Sequence, residues 1–339
     1  MEGMKLDIQQ RRNPDQRSPA MPQWRITPMR KSGIYPRTTV ITPRSAFSAS
    51  EECTFMVAPC QEWPEDLPFS EVMWLNAEEI RLLGSMMMTE RFDGGQRCSF
   101  RPVPYAWLYV DPFPLNRRRI AELRTCVIDR LAAPETAGLK AALEENSLGS
   151  GGCFPAARLQ MALFEQHWNA ISGDNYLLLR GMHALIKSDM LAAMFEFREE
   201  AIVNTFIALD ASFQLVLRHL VRTGQHNPSA RDAGDWVYRT FDERLGLAYP
   251  EDYRYFQEFY DNRIRTLHPG SRLGDFPYAP LAADDYSHLR SVLPGIFGFM
   301  VTGKYTPEFE MLFRRKAEEK LRREAVSPRD AEKKSTSRD

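Results

Sequence analysis

Ile202, Phe206, Leu209, Phe213 and Leu217 recur at spacings of four, three, four and four, which draws one wide apolar stripe along a helix. A helix with such a stripe must bury it against other elements, so the stripe commits the chain around it to a helical core. The same 3.6-residue period predicts helices over 156–170, 176–192, 198–221, 230–245, 251–267, 284–301 and 307–323. Leu148-Gly149-Ser150-Gly151-Gly152 precedes them and reads as a linker.

Upstream of that linker the pattern changes. Short β-rich runs stand at 38–42, 54–58 and 105–111, with Asp93-Gly94-Gly95 as a turn signal before the last. Asn76-Ala77-Glu78-Glu79 places an N-cap residue three positions before an acid and opens a helix over 78–90. A second helix is expected over 115–132, with Ile120, Leu123, Val127 and Leu131 on one face. The fold class expected is α+β: a small N-terminal α/β domain, then an antiparallel all-α helical bundle. The expected divisions are a disordered N-terminal arm over 1–36, the α/β domain over 37–148 and the bundle over 153–305. A charged helix and disordered tail should occupy 306–339.

Composition narrows the function classes. Hydrophobic content of 43% is enough for a buried core. The net charge of −1 gives no overall basic field, but its distribution is uneven. Residues 1–48 carry +6 and residues 314–339 carry +4, which leaves −11 on the body between them. Broad non-specific affinity for nucleic acid is therefore not expected, although a small local site is compatible with this balance. The five cysteines (Cys53, Cys60, Cys98, Cys126 and Cys153) form no Cys-x-x-Cys pair. They point to reduced thiols in a cytoplasmic protein and to no structural metal. The polar first 22 residues contain no apolar signal segment, and no apolar run predicts a membrane span.

The stretch with the most chemistry is Asn262-Arg263-Ile264-Arg265-Thr266-Leu267-His268-Pro269-Gly270. On a continued helix Arg263 and His268 would stand about 140° apart. Pro269 biases His268 out of the helical region and Gly270 suits a helix end, so the two side chains are free to face one pocket. A fixed guanidinium and a group titrating near neutrality are what phosphodiester cleavage requires. The same residues also make ordinary helix punctuation, with a histidine favouring the dipole of the last turn. His183 and His219 lie within amphipathic helices and read as core or boundary residues. His226 sits in a polar loop, and His288 is close enough to the motif to be a secondary candidate.

The second half resembles the HEPN superfamily (higher eukaryotes and prokaryotes nucleotide-binding) over about 173–303. The helix beginning Phe197-Arg198-Glu199-Glu200-Ala201-Ile202 looks like an early helix of that bundle. The helix over 251–267 ends in Arg263, four residues, then His268, which is similar to the family's Arg-x(4–6)-His motif. The amphipathic helix over 284–301 stands where the family has its closing helix. The resemblance implies a HEPN-like bundle and a metal-independent endoribonuclease, of the kind that serves as a toxin or anti-phage defence effector. It implies attack by the RNA's own 2′-hydroxyl, without cofactor or metal. His268 would move the proton, Arg263 would hold the phosphate, and Asn262 would orient a phosphate oxygen or the imidazole. Arg265 is either a second substrate contact or a solvated charge. The partners implied are RNA, a second copy in a homodimer and a neutralising protein, with neither DNA nor membrane. The departure is Ile264, where the family commonly has a polar residue after the arginine. A catalytically degenerate bundle serving dimerisation or binding is the alternative.

Overall fold

The computed structural model describes residues 23–30, 37–89, 99–103, 106–133, 159–247, 255–267 and 283–335. Five strands form one antiparallel sheet: β1 (Trp24–Met29), β2 (Thr39–Ile41), β3 (Ala46–Ala49), β4 (Thr54–Pro59) and β5 (Leu108–Val110), in the order β2-β3-β4-β1-β5. The longest pairing aligns β1 with β4 from Trp24 opposite Pro59 to Met29 opposite Thr54. One sheet face, with Ile26, Ala46, Phe55, Val57, Leu108 and Val110, packs on Ile120, Leu123 and Val127 of helix α2 (Arg117–Ala132). The expected stripe of α2 is thus the buried one. Helix α1 (Ala77–Met88) lies against β4, and is packed in turn by α3 (Met161–Ala170) and α4 (Tyr176–Leu191).

α1 starts where its capping residues require. The Glu79 amide donates to Asn76 Oδ1 at 3.0 Å, and the Asn76 amide donates to Glu79 Oε2 at 2.9 Å. Asn76 Nδ2 also donates to the Pro59 carbonyl at the end of β4, which ties the helix start to the sheet.

Two strands were not expected. β1 lies inside the arm assigned above to disorder, and β3 carries too short a pattern to stand out. Two features of β1 disguise it. Its alternate residues Arg25 and Thr27 look solvent-facing, but both are buried and donate hydrogen bonds to the Glu79 carboxylate. Pro28 would normally argue against an inner strand, since it cannot donate to the ladder. Its carbonyl accepts from the Val103 amide, so its missing N–H faces the side away from β4, beyond the Trp24–Ile26 stretch that pairs with β5.

All regular elements described between 173 and 303 are helical. They are α4, α5 (Arg198–Arg222), α6 (Ala230–Val237, continuing as a π turn over Tyr238–Asp242), α7 (Tyr255–Leu267) and α8 (Ala283–Thr302). In α5, Ile202, Phe206 and Leu209 are buried, but further along Leu215, Val216 and Leu220 take over from the half-buried Phe213 and Leu217. α5 is long and apolar enough to cross a membrane, yet 61% of its apolar window is buried inside the structure, so packing accounts for its composition. Helix α9 (Pro307–Ser335) extends past the expected end at 323, in line with the helix propensity of its Ala, Glu, Lys and Arg residues.

The chain has two compact units, Met1–Ser212 with Leu281–Phe297, and Phe213–Pro280 with Gly298–Asp339. The first therefore takes residues from both expected domains, while the Gly149–Gly152 linker lies outside the described residues. In the first unit a bidentate pair joins α8 to α4, with Arg290 Nε 2.7 Å from Asp189 Oδ1 and Arg290 Nη2 3.0 Å from Asp189 Oδ2. The second unit is organised by aromatic rings: Trp236, Phe241, Phe299, Tyr305 and Phe309 meet largely edge to face, and Arg244 lies over Tyr305.

Candidate functional site

The motif belongs to α7, whose first turns fix its orientation. Phe256 and Phe259 are buried, and the Phe256 ring packs on Phe213 at 5.0 Å. Burial, with the nearby Asp242 charge, pushes the Tyr255 phenol up from its ordinary value. The opposite side is polar: Gln257 Nε2 donates to Asp261 Oδ1 at 3.2 Å, and Tyr260 is exposed.

Helical register then separates the candidate positions. Arg263 falls seven residues after Phe256 and four after Phe259, on the row those two rings occupy. Arg265 continues the outer row of Gln257 and Asp261 by a further four residues. Asn262 comes three residues after Phe259, at the border between the rows. His268 lies outside the described residues, as does the Pro269-Gly270 pair.

The remaining histidines divide by burial. His167 and His183 are core residues, as expected for His183. The His167 imidazole shares a hydrogen bond with the Thr89 hydroxyl at 3.2 Å, and burial pushes its pKa down to about 4. His219 is half-buried against the Trp236 ring, while His226 and His288 are exposed. Among the described residues no three His, Cys, Asp or Glu side chains are grouped to hold a metal ion. Of the cysteines described, Cys53 is buried, Cys60 exposed and Cys126 half-buried.

A second group of side chains was not singled out in the sequence. Tyr176, Arg180, His183 and Lys187 follow one another at spacings of four, three and four, so they share one face of α4. The Trp63 ring meets Tyr176 at 6.1 Å, and the Trp74 ring meets His183 at 5.7 Å, both edge to face. His183 is 0% exposed, and among the described residues neither of its ring nitrogens has a hydrogen-bond partner. The signal was available in principle as a polar i, i+4, i+7, i+11 row in a helix whose only other polar residues are Ser188 and Asp189. What it lacked was any indication that two tryptophans more than 100 residues upstream would line it.

Compared with known proteins, the chain matches no family model, no curated protein and no solved structure. Its class therefore rests on its own architecture: an α+β protein with a five-stranded antiparallel sheet and a mostly helical remainder.

Proposed function

We propose that the chain is a metal-independent endoribonuclease of the HEPN type, with Arg263, His268 and Asn262 as its site and Arg265 as an outer phosphate contact. The observation that carries the reading is the register of α7, which sets Arg263 on the row of Phe256 and Phe259 one turn before Leu267. An arginine position in the last turns of a helix, with His-Pro-Gly directly after the helix end at Leu267, suits an anion-holding cation beside a titrating group.

In this mechanism the RNA 2′-oxygen attacks the adjacent phosphorus, the O2′–P bond forms and the P–O5′ bond breaks. His268 takes the proton from the 2′-hydroxyl or gives one to the departing 5′-oxygen. Arg263 holds the non-bridging oxygens as their charge builds up, and Asn262 orients the phosphate or the imidazole. The products are a 2′,3′-cyclic phosphate and a 5′-hydroxyl end.

Cleavage of single-stranded or loop RNA should persist in EDTA. His268→Ala should lower the rate by about 10²–10⁴-fold, and Arg263→Ala by about 10²–10³-fold. Retained cleavage in His268→Ala, or absolute dependence on Mg²⁺, defeats the mechanism. Ile264, in place of the family's polar residue, favours the second reading, a bundle that docks or dimerises without catalysis. Wild-type protein that cuts no RNA under any condition would select that reading.

A further inference from the structure

The α4 face of Tyr176, Arg180, His183 and Lys187 is cationic, and the described residues bring it no counter-charge. Arg180 and Lys187 are both half-buried, and among the described residues no carboxylate lies within ion-pair distance of either. Arg180 Nη1 is buried with no hydrogen-bond partner among the described residues. Two more deeply buried guanidiniums in the same unit are ion-paired, Arg25 with Glu79 and Arg290 with Asp189. Desolvation lowers the pKa of Arg180 and of Lys187, and Arg180 lowers Lys187 further. Half-buried charges without partners work against the fold, and groups perturbed in this way concentrate where ligands bind.

His183 lies between the two cations on this row. Burial, then Arg180 and Lys187, push it down to about 3, so it stays neutral and adds no third charge to the row. Aromatic rings pack on the row, Trp63 on Tyr176 and Trp74 on His183, and Trp63, Trp74 and Tyr176 are all half-buried rather than sealed. The Trp63 indole is fixed by its N–H donating to the Leu75 carbonyl at 2.7 Å. Arg180 and Lys187 are seven residues apart, which sets their backbone positions about 10 Å apart along the helix. A single carboxylate is too small to use both cations fully, whereas a diphosphate or successive phosphates of a strand can span them.

We propose that this face, with Trp63 and Trp74, is a binding site for a nucleoside phosphate: Arg180 and Lys187 hold the phosphates and the rings take the base. The ligand chemistry is common to a free nucleotide and to single-stranded RNA. The basis is charge plus stacking, the pairing by which sequence-tolerant nucleic-acid sites work. The site goes beyond the nuclease reading and does not depend on Arg263 or His268.

The test uses the full-length protein, inorganic pyrophosphate as a base-free control and three probes: ADP, UMP and a fluorescein-labelled 2′-O-methyl oligouridine of about 12 nucleotides, a length within the range of strand-binding sites. Lacking a 2′-hydroxyl, the oligomer cannot be cut by the proposed chemistry, so binding is read apart from cleavage. Nucleotides are followed by calorimetry and the oligomer by anisotropy at low salt. At least one probe should bind saturably. Arg180→Gln and Lys187→Gln should each weaken it about tenfold or more, the loss of a hydrogen bond to a charged group. Arg180→Lys and Lys187→Arg should bind close to wild type, which separates charge from a merely structural role. Trp74→Leu should weaken ADP or the oligomer while leaving inorganic pyrophosphate binding intact. Binding of the oligomer alone identifies a strand as the ligand, and binding of ADP or UMP alone identifies a free nucleotide. Failure of all three probes to bind the wild-type chain overturns the proposal. So does undiminished binding to the folded Arg180→Gln, Lys187→Gln double variant.

Discussion

At the scale of single residues, burial without full polar compensation is the main source of consequence. Glu79 shows the compensated case. It is 0% exposed, and its carboxylate accepts from Arg25, Thr27 and the Asn76 amide. His167 and His183 show the other case, with folded-state values of about 4 and about 3 against an ordinary 6.5. Since these values are depressed, the unfolded chain binds more protons than the folded one below about pH 6.5. The stability linked to the neutral imidazoles is present above that pH. It is lost as pH falls toward the folded values, by up to about 1.4 kcal/mol per pH unit for each imidazole. Urea midpoints should drop between pH 6.5 and 4.5, and drop less in His167→Gln and His183→Leu. Equal pH slopes in wild type and variants would contradict this account. Half of the Glu79 arrangement was legible: Asn76 and Glu79 stand in a local capping pattern. Arg25 was not, because its partner is 54 residues away and nothing local marks it as internal.

At the scale of elements, the helices approach one another through missing side chains. A Cβ on Gly84 of α1 would meet Met182 Sδ at 2.2 Å, and a flexible thioether can give way there. Gly181 of α4 is less forgiving. A Cβ there would stand 2.9 Å from the Ala211 Cβ of α5 and 2.7 Å from the end of the Phe297 ring of α8. The Ala211 methyl is fixed to its helix backbone, so the helices themselves would have to separate. Gly181→Ala gains helix propensity of about 1 kcal/mol at most, while overpacking of this kind typically costs about 1–3 kcal/mol. Net destabilisation is expected in urea unfolding, and a larger one for Gly181→Val; a Gly181→Ala protein more stable than wild type would show that the helices move apart freely. Helix existence was legible because periodicity and caps are local. The close approach was not, since a glycine inside a helix reads only as a weak former until its neighbour is known. β1 escaped for a related reason: Pro28 is tolerated because its missing N–H falls on the side away from β4, beyond the β5 pairing, where the 101–103 segment bonds to its carbonyl.

At the scale of the whole molecule, the acidic body and the basic ends were readable from the charges, whereas the way the chain divides was not. The two compact units draw on non-adjacent segments, with breaks inside α5, between Pro280 and Leu281, and inside α8, none of them at the Gly149–Gly152 stretch. Composition marks linkers but cannot show which helices share a core. The proposed nuclease makes a further demand at this scale. Transphosphorylation requires a base at the 2′-oxygen and an acid at the 5′-oxygen in one step, and each motif carries a single imidazole. A second copy of the chain, presenting its own motif to the same cleft, would complete the inventory. Sedimentation should therefore find a homodimer in the active preparation. The sharper check is titration of a fixed amount of wild-type protein with excess His268→Ala chains, after time for subunit exchange. If the cleft is shared, wild-type chains enter mixed dimers that lack one imidazole, and cleavage should fall far below the rate of the wild-type protein alone. A rate that stays constant as the variant is added, or full activity from a sedimenting monomer, would show that one chain supplies both proton-transfer groups by itself.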